Sequence, residues 1–138
     1  MSSEGLDRFL EAQSNDYAKA LGEIKSGKKQ SHWMWYIFPQ LAALGKSGTS
    51  RFYGIADATE AKQYLAHPVL GARLVEISTM LLTLVDNNPT NIFGTPDDLK
   101  LRSCMTLFAE MPDAPLVFQR VLDKYFGGKK DEQTIVLL

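Results

Sequence analysis

Cysteine is almost missing from this chain. Cys104 is the single one, so no internal disulfide can form and the Cys-rich spacings of zinc sites are excluded. A reducing, cytoplasmic setting fits that usage. Histidine is nearly as scarce. His32 and His67 lie far apart with no carboxylates at ligand spacing, so no metal site is expected. Neither sign of charge dominates: 15 basic residues face 16 acidic ones, for a net charge of -1. That balance excludes a protein that binds nucleic acid by bulk charge, while leaving room for a small local patch. The longest apolar stretch, "VLGARLVEISTMLLTLV", is broken by Arg73 and Glu76 and reads as a buried helix, not a membrane span. The segment "MSSEGLDRFLEAQ" is polar and acidic, unlike a secretory signal. Gly27-Lys28 lacks the upstream glycine and the following hydroxyl of a P-loop, and no GxGxxG occurs, so no cofactor is implied.

Strand patterns are nearly absent too, and what remains is helical. Leu6, Phe9 and Leu10 recur at helical spacing in a short first helix. Ser14 or Asn15 caps a second, with Tyr17, Leu21 and Ile24 on its inner stripe and Gly27 as its stop. Pro39 ends the aromatic block that follows. "LAALGKSGTSRFYGI" is expected to be an ordered loop, with room for a short extended piece from Arg51 to Ile55. Asp57 or Thr59 caps "EAKQYLAH". Pro68 opens a helix over 68–85 that is apolar on most of its circumference, so it belongs in the middle of the fold. "NNPTN" is expected to be a loop. Thr95 as cap, Pro96 at the first position and two acids start a partner helix over 96–111. Ala114-Pro115 opens another, closed by Gly127 and Gly128, and Asp131 caps a last short one. The expected architecture is all-α: one helical domain over 1–138, of about seven helices around one or two buried central helices. At 138 residues such a chain can bury about two-thirds of its unfolded surface without disulfide or metal.

Three blocks carry polar groups in places where a site could form. "SHWMWYIFPQ" holds His32, Trp33 and Trp35 within four positions. Each has ring N–H groups that need partners when buried, so the block is either satisfied core or the wall of a pocket. "SGTSRFYG" sets Arg51 and Tyr53 after small residues, where a guanidinium fork and open backbone N–H groups suit an anion or a flat ring. "TPDDLKLRS" places Asp98 and Arg102 at i, i+4 in the favourable acid-first order, with Lys100 and Ser103 on an adjacent face. Cys104 shares an apolar face with Leu101 and Phe108 and reads as a buried structural thiol.

"SHWMWYIFPQL", "SRFYGIAD", "YLAHPVLGARL", "FGTPDDLKLRSCMTLF" and "DKYFGGKKDEQTIVLL" together resemble the bacterial proteins catalogued as domain of unknown function 1810, some of which carry the label calpastatin. The likeness runs from about Leu6 to Leu138. It implies a compact all-α fold with two central helices and brings no established activity or catalytic residue. The order of an aromatic helix, an "A..YL..P..G..L" segment and a helix with lysine and small polar residues is also similar, remotely, to the NADAR (YbiA-like) domains. That second likeness implies N-glycosidic bond cleavage in ADP-ribose or riboflavin-pathway chemistry, although the aromatic helix here carries no carboxylate.

The expected function is binding of a small nucleotide-like or anionic aromatic ligand. Trp35 and Tyr53 would stack on a ring, Arg51 would hold an anionic group, and Gln40 and Lys100 would complete the pocket. Were there chemistry, of the N-glycosidase kind, Asp98 would be the general acid or base and His32 the second candidate. A protein-interaction module without catalysis is the alternative, and it requires the aromatic block to be an exposed apolar patch. No membrane partner is expected, and the oligomeric state is open.

Overall fold

The computed structural model describes residues 3–138, and Met1 and Ser2 of the polar opening segment lie outside them. Nine α-helices and one turn of 3-10 helix make up the described chain. The first helix, α1, runs unbroken over Ser3–Lys25. Its buried face is Leu6, Phe9, Gln13, Ala20 and Ile24, a single stripe at helical spacing. The expected break at Ser14 or Asn15 does not occur. The Ser14 hydroxyl instead donates to the Glu11 carbonyl, 2.7 Å away, inside the helix. Gly27, at φ 84°, closes α1 with the paired bonds of a Schellman turn: Gly27 N–H to Ile24 O and Lys28 N–H to Glu23 O.

The aromatic block forms a single helical turn, α2, over Met34–Ile37. The 3-10 turn follows at Ala42–Leu44. The segment expected to be loop contains a short helix, α3, Gly48–Phe52. Ser47 and Ser50 bond each other's backbone N–H in a reciprocal cap, and that local pair is what makes the turn helical. The extended piece is reduced to one parallel bridge, Leu41 with Ile55. Here Gly54 lies so close to Ala42 that a Cβ would sit 2.3 Å from its Cα. Arg8 ties this region to α1: its guanidinium donates to the carbonyls of Phe52 and Gly54 and pairs with Glu60 at 2.8 Å.

Asp57 caps α4, Ala58–Ala66. The chain then turns by 84° into α5, Leu70–Leu82, two residues shorter than expected at its start and three at its end. Asn88 caps α6, Pro89–Phe93, with the proline in its first turn, where a loop was expected. The helix α7 spans Asp97–Ala109, with Pro96 rather than Thr95 at its cap position. Then come α8, Val117–Phe126, closed by Gly127 in the left-handed conformation, and α9, Glu132–Leu137, capped by Asp131.

The expected centre was the helix now seen as α5. Six of its thirteen residues are buried, against eight of thirteen in α7, so α7 is the more enclosed of the two. The reason is its neighbourhood: α8, α9, α4 and α6 all pack on α7. The helix α5 is covered by α1, α4 and α8 but keeps Glu76, Thr79 and Thr83 in solvent. Tyr125 of α8 fastens α5 by donating to the Leu81 carbonyl at 2.6 Å. Among the described residues no single helix is long and apolar enough to cross a membrane.

Candidate functional site

The two tryptophans of the aromatic block, two positions apart, have opposite roles. Trp33 is fully buried. It packs with Phe38 and Phe93 at ring-centre distances of 6.1 and 6.5 Å. Its indole N–H donates to Glu23 Oε1 at 2.9 Å, so the polar atom that made burial awkward is satisfied. The same carboxylate accepts from the N–H groups of Gln30 and Ser31 and from the Ser31 hydroxyl. Burial works to raise the Glu23 carboxyl, but these four donors outweigh it and bring it down to about 2. Trp33 is therefore core. Trp35 is half-buried, and its ring is covered by the ammonium of Lys100, 3.7 Å from the ring centre.

Lys100 stands on the wall of a cleft of about 1000 Å³. One side is Gln40, just before the 3-10 turn, and Leu44, its last residue. The floor is the first two turns of α7 with Pro96, Leu99, Lys100, Arg102 and Ser103. The far side is the Gly128–Gln133 segment leading into α9. Gly127 and Gly128, both at positive φ, turn the chain out of α8 and lay that segment across α7. Asp131 fixes it there: its N–H donates to Thr106 Oγ1 at 2.9 Å, and its Oδ2 accepts from Ser103 and Thr134.

Four cations line this space, Lys100, Arg102, Lys129 and Lys130, with two carboxylates, Asp131 and Glu132. Lys130 is paired with Glu110. Lys100 shares Asp97 with Lys29, each ammonium 2.9 Å from one carboxylate oxygen. Burial pushes the Asp97 carboxyl up, and the two lysines more than offset it, holding it below the ordinary range. Arg102 is only loosely paired. Its nearest carboxylate oxygen, on Asp131, is 3.9 Å away, beyond hydrogen-bond length. Its Nε is shut off from solvent and, among the described residues, has no hydrogen-bond partner.

Of the residues singled out from sequence, Gln40, Lys100, Arg102 and Ser103 line the cleft and Trp35 lies directly behind Lys100. The others are elsewhere. Asp98 is buried at the junction of α6 and α7, accepting from Thr90 Oγ1 at 2.6 Å and Thr95 Oγ1 at 3.3 Å. It does not meet Arg102, because the two threonines reach its carboxylate first. Arg51 is exposed on α3 and donates to the Gly45 carbonyl at 3.3 Å. Tyr53 packs among Phe9, Tyr36 and Phe52. His32 is exposed on the segment before Trp33. The three blocks thus converge only in part. Sequence reasoning missed Lys129 and Lys130 as cleft residues and gave Asp131 only the capping role that it also has.

A second cleft, of about 870 Å³, lies between α4, α5 and the Met111–Pro115 turn. It is mostly apolar and holds none of the expected site residues. Among the described residues no group of three or more His, Cys, Asp and Glu side chains could hold a metal ion.

Compared with known proteins, residues 3–138 match the family described as "Protein of unknown function (DUF1810)". The fold is similar to the crystal structure of the conserved hypothetical protein Rv1873 from Mycobacterium tuberculosis. The TM-score is 0.94 at 45% sequence identity, covering 96% of this chain and 95% of that one. No curated protein matches the chain.

Proposed function

We propose a ligand-binding role for this chain, which belongs to the family described as Protein of unknown function (DUF1810). The ligand is a small anion of nucleotide-like or aromatic character, and it binds, in the cytoplasm, in the cleft between the 3-10 turn, α7 and α9. The observation that carries this reading is Arg102. Its side chain lines the cleft one-third exposed, and its nearest carboxylate oxygen is 3.9 Å away, so its outer guanidinium N–H groups are open to an anion. Lys100 and Lys129 on the same walls favour the same charge. The volume suits a nucleotide-sized molecule.

A hydrolase of the N-glycosidase kind is the second reading, and it moves the carboxylate from Asp98 to Asp131. Asp98 is bonded to two threonines away from the cleft, whereas Asp131 lines it. Its Oδ2 takes Ser103 and Thr134, and its Oδ1 has only the distant Arg102. An interaction module built on the aromatic block has less support, since Trp33, Phe38 and Ile37 of that block are inside.

The test is a thermal-shift screen against nucleotides, ADP-ribose and inorganic phosphate. A ligand at 100 times its dissociation constant stabilises the fold by about 2.7 kcal/mol. Stabilisation by phosphate-bearing compounds, absent with their neutral nucleosides, supports the reading. No shift with any of them removes it.

A further inference from the structure

We infer that the ligand of the α7–α9 cleft carries a planar ring as well as an anionic group, and that Lys100 and Trp35 together select for it. This rests on the anion-binding reading of the cleft and deepens it. Lys100 belongs to two settings at once. It lines the cleft, and its ammonium covers the half-buried Trp35 ring at 3.7 Å. Two lysines, Lys29 and Lys100, serve the single carboxylate of Asp97, so the trio has one positive charge in surplus.

That redundancy lets Lys100 move. When it swings toward an anion, Asp97 keeps Lys29, whose side chain is only 9% exposed, at 2.9 Å. The carboxylate is then not left unpaired, which would be the main cost of such a movement. What Lys100 gives up is its place over the indole, a weak contact at a part-exposed position. What it uncovers is the face of Trp35, a flat surface on which a ring carried by the same ligand can stack. Trp33 cannot serve, because it is fully buried and bonded to Glu23. The ligand class is therefore an aryl or heteroaryl phosphate or carboxylate, and a bare anion or a sugar phosphate binds more weakly.

Calorimetric titration with AMP, ribose 5-phosphate and inorganic phosphate tests this. The wild-type protein is expected to bind AMP about tenfold or more tightly than ribose 5-phosphate, the scale of one base stacked on an aromatic ring. Trp35→Leu brings AMP down to the affinity of ribose 5-phosphate and leaves the latter unchanged. Trp35→Tyr keeps a ring and keeps most of the preference, which guards against a folding defect in the leucine variant. AMP also changes tryptophan emission in the wild type and not in Trp35→Phe. Equal affinities for AMP and ribose 5-phosphate in the wild type, or an equal loss of both in Trp35→Leu, overturn the ring claim while the anion cleft stands. Binding of none of the three overturns both.

Discussion

The ammonium of Lys100 sits 3.7 Å from the centre of the Trp35 ring, and the two residues come from helices far apart in the chain. This contact joins the aromatic block to the start of α7. It separates the two tryptophans into one that holds the core and one that backs a cleft.

Glu23 holds the core tryptophan, and its removal is expected to be felt. In Glu23→Ala the buried indole N–H of Trp33 loses its acceptor, at a cost of about 1–3 kcal/mol in denaturant unfolding. The carboxyl also links stability to pH. Its folded value of about 2 lies below the ordinary 4.5, so its contribution is present above 4.5 and is lost as pH falls toward 2. Glu23→Gln is expected to flatten the acid side of the stability profile within that window. An unchanged profile would contradict the assignment.

Asp98 is expected to be structural. It joins Thr90 and Thr95 to the first turn of α7, so Asp98→Ala lowers stability by about 1–3 kcal/mol. Because it does not line the cleft, ligand affinity in the variant, measured well below its melting temperature, stays within about twofold of wild type. A large loss of affinity with stability intact would restore Asp98 to the site.

Leu81 of α5 is fully buried, and Leu81→Ala is expected to cost about 2–5 kcal/mol in urea unfolding. A loss below about 1 kcal/mol would mean the site collapses around the deletion and α5 carries little of the core.

Cys104 is expected to be inert in the native state. It is buried on α7, and burial raises its thiol well above the ordinary range, so little thiolate exists and no reagent reaches it. Labelling with a thiol reagent is slow in the folded protein and fast after unfolding. Fast native labelling would show that α7 opens locally.

The parts of this fold legible in the sequence are those governed by neighbouring residues. Asp131 as a cap and Gly127 as a stop are local chemistry and both hold, and of the two candidates Asp57 and Thr59 it is Asp57 that caps α4. The α6 start was equally local: Asn88 before Pro89 is a cap followed by a first-turn proline, hidden by the shortness of the helix. Ser14 misled because a hydroxyl that can cap a helix can also bond back within one. The site was less legible. Glu23 reaches Trp33 across ten positions, and Lys100 reaches Trp35 from another helix. Lys129 and Asp131 become cleft residues only because two glycines fold their segment over α7. No spacing rule encodes such meetings, which depend on how helices pack.

The most direct test of the anion cleft is calorimetric titration of AMP into the wild type, Arg102→Leu and Lys129→Glu, at low and high salt, with circular dichroism as a check on folding. One site is expected in the wild type, weakened by salt, with a loss of at least about tenfold in both variants and helical content unchanged, since each removes a charge-assisted contact. Undetectable binding to the wild type, or equal binding to all three proteins, would contradict the anion cleft.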